Sequence, residues 1–118
     1  PVVSPFFSLI LVSYPFYELV RSVVRRVAKG ATHVFEADDE HLHSLMFKFI
    51  SSCKILKPNL CNSLATVFVV LLPSFSSVWA VIYFRNTHAL IYGVIMLLIF
   101  YEVINFTLKK IQNGRNTF

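Results

Sequence analysis

The chain has 118 residues, of which 56% are hydrophobic and only 14% charged, and its formal net charge at pH 7 is +5. A soluble domain carries about 25% charged residues, so this chain lacks the polar surface that would keep it in solution. Its three glycines exclude a glycine-rich phosphate loop and a dinucleotide fingerprint, and with them the soluble nucleotide-binding folds.

Hydropathy predicts three membrane-spanning segments, at about residues 2–20, 62–84 and 89–108. Each is close to the ~20 residues that a helix needs to cross a bilayer. Helices are favoured because a bilayer offers backbone groups no partner outside their own segment. We therefore expect an all-α polytopic membrane protein in contact with lipid, with helix kinks at Pro15 and Pro73.

Positive charge is distributed unevenly between the two ends of these spans. Residues 21–61 carry seven Lys and Arg residues and the tail carries three, whereas the turn at 85–88 carries one. The positive-inside rule thus predicts that the loop at 21–61 and the C-terminus are cytoplasmic. It also explains the net charge, so no nucleic-acid partner is expected. Because the first span would begin outside, we expect the chain to be the last part of a longer protein.

The loop after the first span predicts two further helical segments. Residues 21–30 read as a basic helical end of span one that stops at Gly30. An acidic stretch then indicates a helix over about 39–56, with Asp38 as its N-cap. Its apolar residues recur at helical spacing and predict an amphipathic helix against the membrane or the protein's own membrane face. This stripe consists of Leu42, Leu45, Met46, Phe49, Ile50 and Cys53.

His41 and His43 are the candidate chemical groups of this loop. Two histidines two positions apart point about 200° away from each other on a regular helix, so they cannot share one metal ion unless the segment is extended there. One interpretation is that both are ordinary polar residues of a surface helix. The alternative is that they meet the cations of Arg25, Arg26 and Lys29 at the membrane surface and hold a phosphorylated, lipid-linked substrate. A positive-inside flank by itself also explains those three cations.

Three segments carry a resemblance to a known family. They are Tyr-Pro-Phe-Tyr-Glu at 14–18, Arg-Arg-x-x-Lys-Gly at 25–30 and Asp-Asp-Glu-His-Leu-His-Ser-Leu at 38–45, followed by two closing spans. The order resembles the C-terminal part of the polyprenyl-phosphate N-acetylhexosamine-1-phosphate transferases, glycosyltransferase family 4. Asp38, His41 and His43 match the family's acidic residue and histidines, whereas Ser44 stands where many members have a third histidine. The resemblance extends over nearly the whole chain, but only the histidine loop is distinctive.

The resemblance implies a bacterial inner-membrane enzyme that moves a sugar-1-phosphate from a UDP-amino sugar to undecaprenyl phosphate, releasing UMP, with Mg²⁺. It implies that His41 and His43 are catalytic and bind the nucleotide-sugar side. Asp38 would contribute to substrate binding, and Arg25, Arg26 and Lys29 would line the pyrophosphate site. The family's Mg²⁺-binding aspartates lie in earlier loops, so no metal ligand is expected in this segment, which should be inactive without the rest of its chain.

A different class of function also fits the sequence. The chain could be a small non-enzymatic membrane subunit whose basic amphipathic loop binds anionic lipid or a partner protein.

The remaining carboxylates and thiols have structural interpretations. We expect Glu18 to pair with Arg21 or Ser22, Glu102 to pair with a neighbouring helix or lie at the interface, and both cysteine thiols to be free.

Overall fold

The computed structural model describes residues 2–30 and 39–116, and this part of the chain forms four α-helices and no β-strand. The helices are α1 (Phe6–Lys29), α2 (Leu42–Ser52), α3 (Pro58–Tyr83) and α4 (Thr87–Asn116). By length and composition α1, α3 and α4 can each cross a membrane, and only 22% of the most apolar window of each is buried inside the protein. The all-α prediction and the three apolar spans are confirmed.

The long helices extend beyond the apolar stretches that hydropathy marks. α1 continues through its basic segment to Lys29, as predicted, while α3 begins at Pro58 and α4 continues to Asn116, both beyond the predicted limits. Backbone hydrogen bonding does not require apolar side chains, so polar residues with adequate helix propensity lengthen each end. α1 ends at Gly30, whose φ of 113° is accessible to glycine because it has no Cβ.

Two prolines lie inside the long helices. Pro15 in α1 and Pro73 in α3 each lack the N–H that would bond to the preceding turn, yet both helices continue through them. The hydroxyls of Ser76 and Ser77 donate to the carbonyl oxygen of Pro73 at 2.9 and 2.8 Å. The structure therefore places both prolines within unbroken helices, and the kinks remain a prediction.

The start of the chain is tied to the turn between α3 and α4. The Ser4 amide donates to the carbonyl oxygen of Phe84 at 3.0 Å, and the Ser4 and Thr87 hydroxyls lie 2.9 Å apart. α1 and α4 thus run in the same direction and α3 runs opposite. As a consequence, the basic end of α1 and the basic end of α4 lie at the same end of the bundle, which we call the basic end.

Two buried clusters hold the helices together. Near the start of α1, Ile10 packs with Ala80 of α3 and Leu90 of α4. The larger cluster lies toward the basic end. It contains two residues of α2 and apolar residues of all three long helices. Its buried members are Tyr14, Leu42, Leu45, Leu72, Leu97, Tyr101 and Leu108. Many other large apolar side chains are exposed, an arrangement that suits contact with membrane lipid.

α2 packs against α3 and α4 near the basic end. Leu42 and Leu45 are buried, and Met46 and Phe49 pack against the same core, so the first four stripe positions face the other helices. The helix begins at Leu42, later than predicted, with His41 as its N-cap. Asp38, the predicted cap, lies outside the described residues. Cys53, the last stripe position, is exposed, and contact of α2 with a membrane surface remains a prediction.

Candidate functional site

Charged and polar side chains from three elements meet at the basic end. Four of them follow one another on α1 at intervals of three or four residues, and three follow one another in the same way on α4, so each set occupies one helix face. We call the combined set the polar cluster. It consists of Glu18, Arg21, Arg25 and Lys29 on α1, Glu40 and His41 before α2, and Glu102, Asn105 and Lys109 on α4.

Arg21 and Glu102 join α1 to α4. The Arg21 guanidinium donates to the Glu102 carboxylate, which also accepts the Tyr17 hydroxyl. A second guanidinium nitrogen lies 3.4 Å from the amide oxygen of buried Asn105. Ionised groups within apolar helices are costly unless they are paired, so this ion pair lowers the cost of both charges. Of the two expectations for Glu102, pairing with a neighbouring helix is the one observed.

The Glu40 carboxylate lies among cationic side chains from two helices. It accepts from the Lys109 ammonium, and it lies 3.6 Å from Lys29 Nζ and 4.0 Å from Arg25 Nε. The hydrogen bond from Lys109, followed by the charges of Lys109, Lys29 and Arg25, holds the pKa of Glu40 below its usual value, although burial opposes this. Three cations from two helices thus lie around one carboxylate among the described residues.

The partners of the Glu18 carboxylate differ from the predicted ones. Instead of pairing with Arg21 or Ser22, this carboxylate accepts the backbone N–H of Leu42 at 2.8 Å and the Tyr101 hydroxyl at 3.3 Å. The same oxygen lies 3.7 Å from Nδ1 of His41. The Arg21 guanidinium is instead engaged by Glu102 of α4.

The two histidines diverge. His41 faces Glu18 on α1, whereas Nε2 of His43 lies 3.2 Å from the Thr66 hydroxyl on α3. His41 precedes α2 with extended backbone, whereas His43 lies inside the helix, so the two side chains leave the chain in different directions. Both side chains are partly exposed, so both are accessible to a ligand at the start of α2.

The remaining predicted site residues fall into two groups. Arg25 and Lys29 lie in the polar cluster beside Glu40, whereas Arg26 is partly buried about 100° further around α1. Asp38 lies outside the described residues. Sequence reasoning assigned Lys109 only to the positive flank of the last span. Its position seven residues after Glu102 was a signal that both lie on one helix face, but its proximity to α1 depends on tertiary packing.

An apolar groove adjoins the start of α2. It has a volume of about 700 Å³ and is lined by residues of α2, α3 and α4. Phe68, Met96 and Phe100 line it with exposed side chains, so the groove opens to the outside of the bundle. Leu42, which lies between the two histidines in the sequence, is one of the lining residues. The groove therefore places an apolar surface directly beside the polar groups that α2 presents.

The described residues do not fit a magnesium site. Among residues 2–30 and 39–116, no three His, Cys, Asp or Glu side chains lie close enough together to hold a metal ion. The carboxylates of Glu18, Glu40 and Glu102 instead accept from backbone, tyrosine, arginine or lysine donors. Mg²⁺, which the family resemblance implies, is thus assigned to no residue described here.

The fold and the polar cluster together define an all-helical membrane protein that carries a charged, histidine-bearing site at one end of three apolar helices. Comparison of the chain with protein-family models, curated proteins and solved structures finds no match.

Proposed function

We propose that the chain belongs to an integral membrane transferase that moves N-acetylhexosamine-1-phosphate from a UDP-sugar to undecaprenyl phosphate and releases UMP, the first step of cell-surface polysaccharide assembly. The observation that carries the proposal is that the start of α2, with His41 and His43, adjoins both an open apolar groove and the cluster of Arg25, Lys29 and Lys109 around Glu40. These are the surfaces that a nucleotide, a pyrophosphate and an isoprenoid tail require.

The cations suit the charge of the reaction. An oxygen of the lipid phosphate forms a bond to the β-phosphorus of the UDP-sugar, and the bond from that phosphorus to the bridging oxygen breaks, so UMP leaves with the electron pair. Fixed donors stabilise the charge on the transferring phosphoryl group. Arg25, Lys29 and Lys109 supply three such donors, which Glu40 partly neutralises in the absence of substrate.

The histidines suit the UDP-sugar, and the groove suits the isoprenoid tail of the lipid phosphate. Imidazole nitrogens of His41 and His43 donate hydrogen bonds to the nucleotide-sugar side, next to the positive end of the α2 dipole. The apolar groove, which Leu42 helps to line, accepts the isoprenoid tail and holds its phosphate near the histidines. In this proposal the basic end lies on the cytoplasmic side of a bacterial inner membrane, which is the side that the positive-inside rule favours and where UDP-sugars are available.

The test is UMP release by the intact protein in membranes, with undecaprenyl phosphate and UDP-N-acetylglucosamine. His43→Ala and His41→Ala should each reduce turnover by ~10²-fold, the usual scale for losing a catalytic donor. His88→Ala is the matched control, because His88 is exposed at the opposite end of α4. Wild-type turnover in folded His41 and His43 variants would refute the assignment.

The non-enzymatic alternative has one observation in its favour. Lys48, Lys54 and Lys57 are exposed near the exposed side chains of Ile55 and Leu56, a combination suited to an anionic lipid surface. That function predicts no UMP release from any UDP-amino sugar, so the same assay separates the two.

A further inference from the structure

Among the described residues, no side chain of its own segment caps the start of α2. The side chain of the N-cap residue His41 makes no capping hydrogen bond, and the first turn contains no acidic residue. A helix start with unsatisfied N–H groups is normally capped by a Ser, Thr, Asp or Asn of the same segment. Here the acceptor is Glu18 of α1, which lies 24 residues earlier and accepts the Leu42 N–H at 2.8 Å.

Glu18 is itself held in place by the bundle. Its carboxylate accepts the hydroxyl of fully buried Tyr101 at 3.3 Å, and its side chain is only 16% exposed. Tyr101 in turn packs edge-on against Tyr17, with ring centroids 5.2 Å apart. Because Tyr101 belongs to α4, the carboxylate that caps α2 is fixed by both α1 and α4.

The position of this cap determines where the histidines lie. His41 directly precedes Leu42, and its Nδ1 is 3.7 Å from the capping oxygen. His43 follows Leu42 by one residue and therefore moves with the same turn. A charged oxygen makes a stronger hydrogen bond to a backbone N–H than a neutral acceptor does, so the carboxylate specifies this start firmly.

We propose that Glu18 is a positioning residue, which caps α2 from α1 and thereby fixes His41 and His43 at the start of α2. The importance of this placement for turnover rests on the proposed transferase function, whereas the capping itself does not. Glu102 provides the contrast, because it is a carboxylate of the same cluster that pairs with Arg21 and makes no described contact with α2.

Amide hydrogen exchange tests the cap directly in the intact protein in lipid nanodiscs. Glu18→Ala should speed exchange in the first turn of α2 by ~5- to 30-fold, the equivalent of losing an N-cap. Glu18→Gln, which keeps an oxygen acceptor, should change it less than about threefold. Glu102→Ala is the matched control and should leave exchange at residues 42–45 unchanged.

Kinetics and chemical modification test the consequence for the histidines. In Glu18→Ala, kcat should fall by ~10-fold or more with KM for the UDP-sugar within about threefold, and Glu18→Gln should restore most of kcat. Diethyl pyrocarbonate should modify His41 and His43 faster in Glu18→Ala, with His88 unchanged as the internal reference. A purely structural role would not give this separation of kcat from KM.

The outcomes separate the two proposals. Unchanged exchange at residues 42–45 in Glu18→Ala would overturn the capping role, even if the histidine variants are inactive. Faster exchange together with normal turnover in the histidine variants would retain the cap and refute the transferase. If Glu18→Ala does not fold, Glu18→Asp decides, because its shorter side chain keeps the charge but withdraws the oxygen from Leu42, and unchanged exchange there would again overturn the proposal.

Discussion

Gly93 of α4 lies against Trp79 of α3 and Ile10 of α1, and replacing it with alanine should destabilise the bundle. A Cβ at this position would lie 2.7 Å from Cδ1 and Nε1 of Trp79 and 2.8 Å from Cδ1 of Ile10. Both distances are shorter than real Cβ contacts allow, so at least one neighbour must move. Ile10 is fully buried, which leaves it little room to do so.

The magnitude follows from three contributions. Overpacking a filled core costs about 1–3 kcal/mol. If the Trp79 ring moves, it also loses the hydrogen bond that its Nε1 donates to the Ala89 carbonyl at 3.0 Å, worth about 1 kcal/mol. Alanine recovers up to about 1 kcal/mol of helix propensity relative to glycine. We therefore expect Gly93→Ala to lower the free energy of unfolding by about 1–3 kcal/mol.

Equilibrium unfolding in mixed micelles with increasing sodium dodecyl sulfate measures this difference. Trp79 is the one tryptophan of the chain, so its fluorescence reports on the site of the substitution. Gly114→Ala is the matched control, because a Cβ there meets nothing within 4 Å and should stabilise the helix by about 0.5 kcal/mol at most. If Gly93→Ala proves as stable as the unsubstituted protein, the close packing of the three helices is wrong.

Two further predictions concern the groove and the cation cluster. Met96→Trp should fill the apolar groove and raise KM for undecaprenyl phosphate by ~10-fold without changing KM for the UDP-sugar. Val81→Trp, at an exposed position outside the groove, is the control and should change neither KM. Equal effects of the two substitutions would refute the lipid site. Because the pKa of Glu40 is lowered, its contribution to stability is present above the usual value of 4.5 and is lost as pH falls through its lowered pKa. Glu40→Gln should thus reduce the free energy of unfolding at pH 7 but not at pH values well below the lowered pKa. A difference in the free energy of unfolding between the two proteins that does not vary with pH would contradict the role of the Glu40 charge.

The sequence by itself determined the features that depend on neighbours along the chain. Runs of apolar residues predicted three long helices, and the conformational freedom of Gly30 marked the end of α1. Helical spacing identified the side of α2 that packs inward, where Leu42 and Leu45 are buried.

Tertiary structure decided which distant residues meet. Spacing could not show that Glu102 pairs with Arg21 or that Lys109 joins Arg25 and Lys29 around Glu40, because these contacts depend on how α4 packs against α1. The start of α2 is the clearest example. Local rules favoured a cap at Asp38, but the helix begins at Leu42, where Glu18 supplies a hydrogen-bond acceptor from another helix. A cap from outside its own segment leaves no local pattern to recognise.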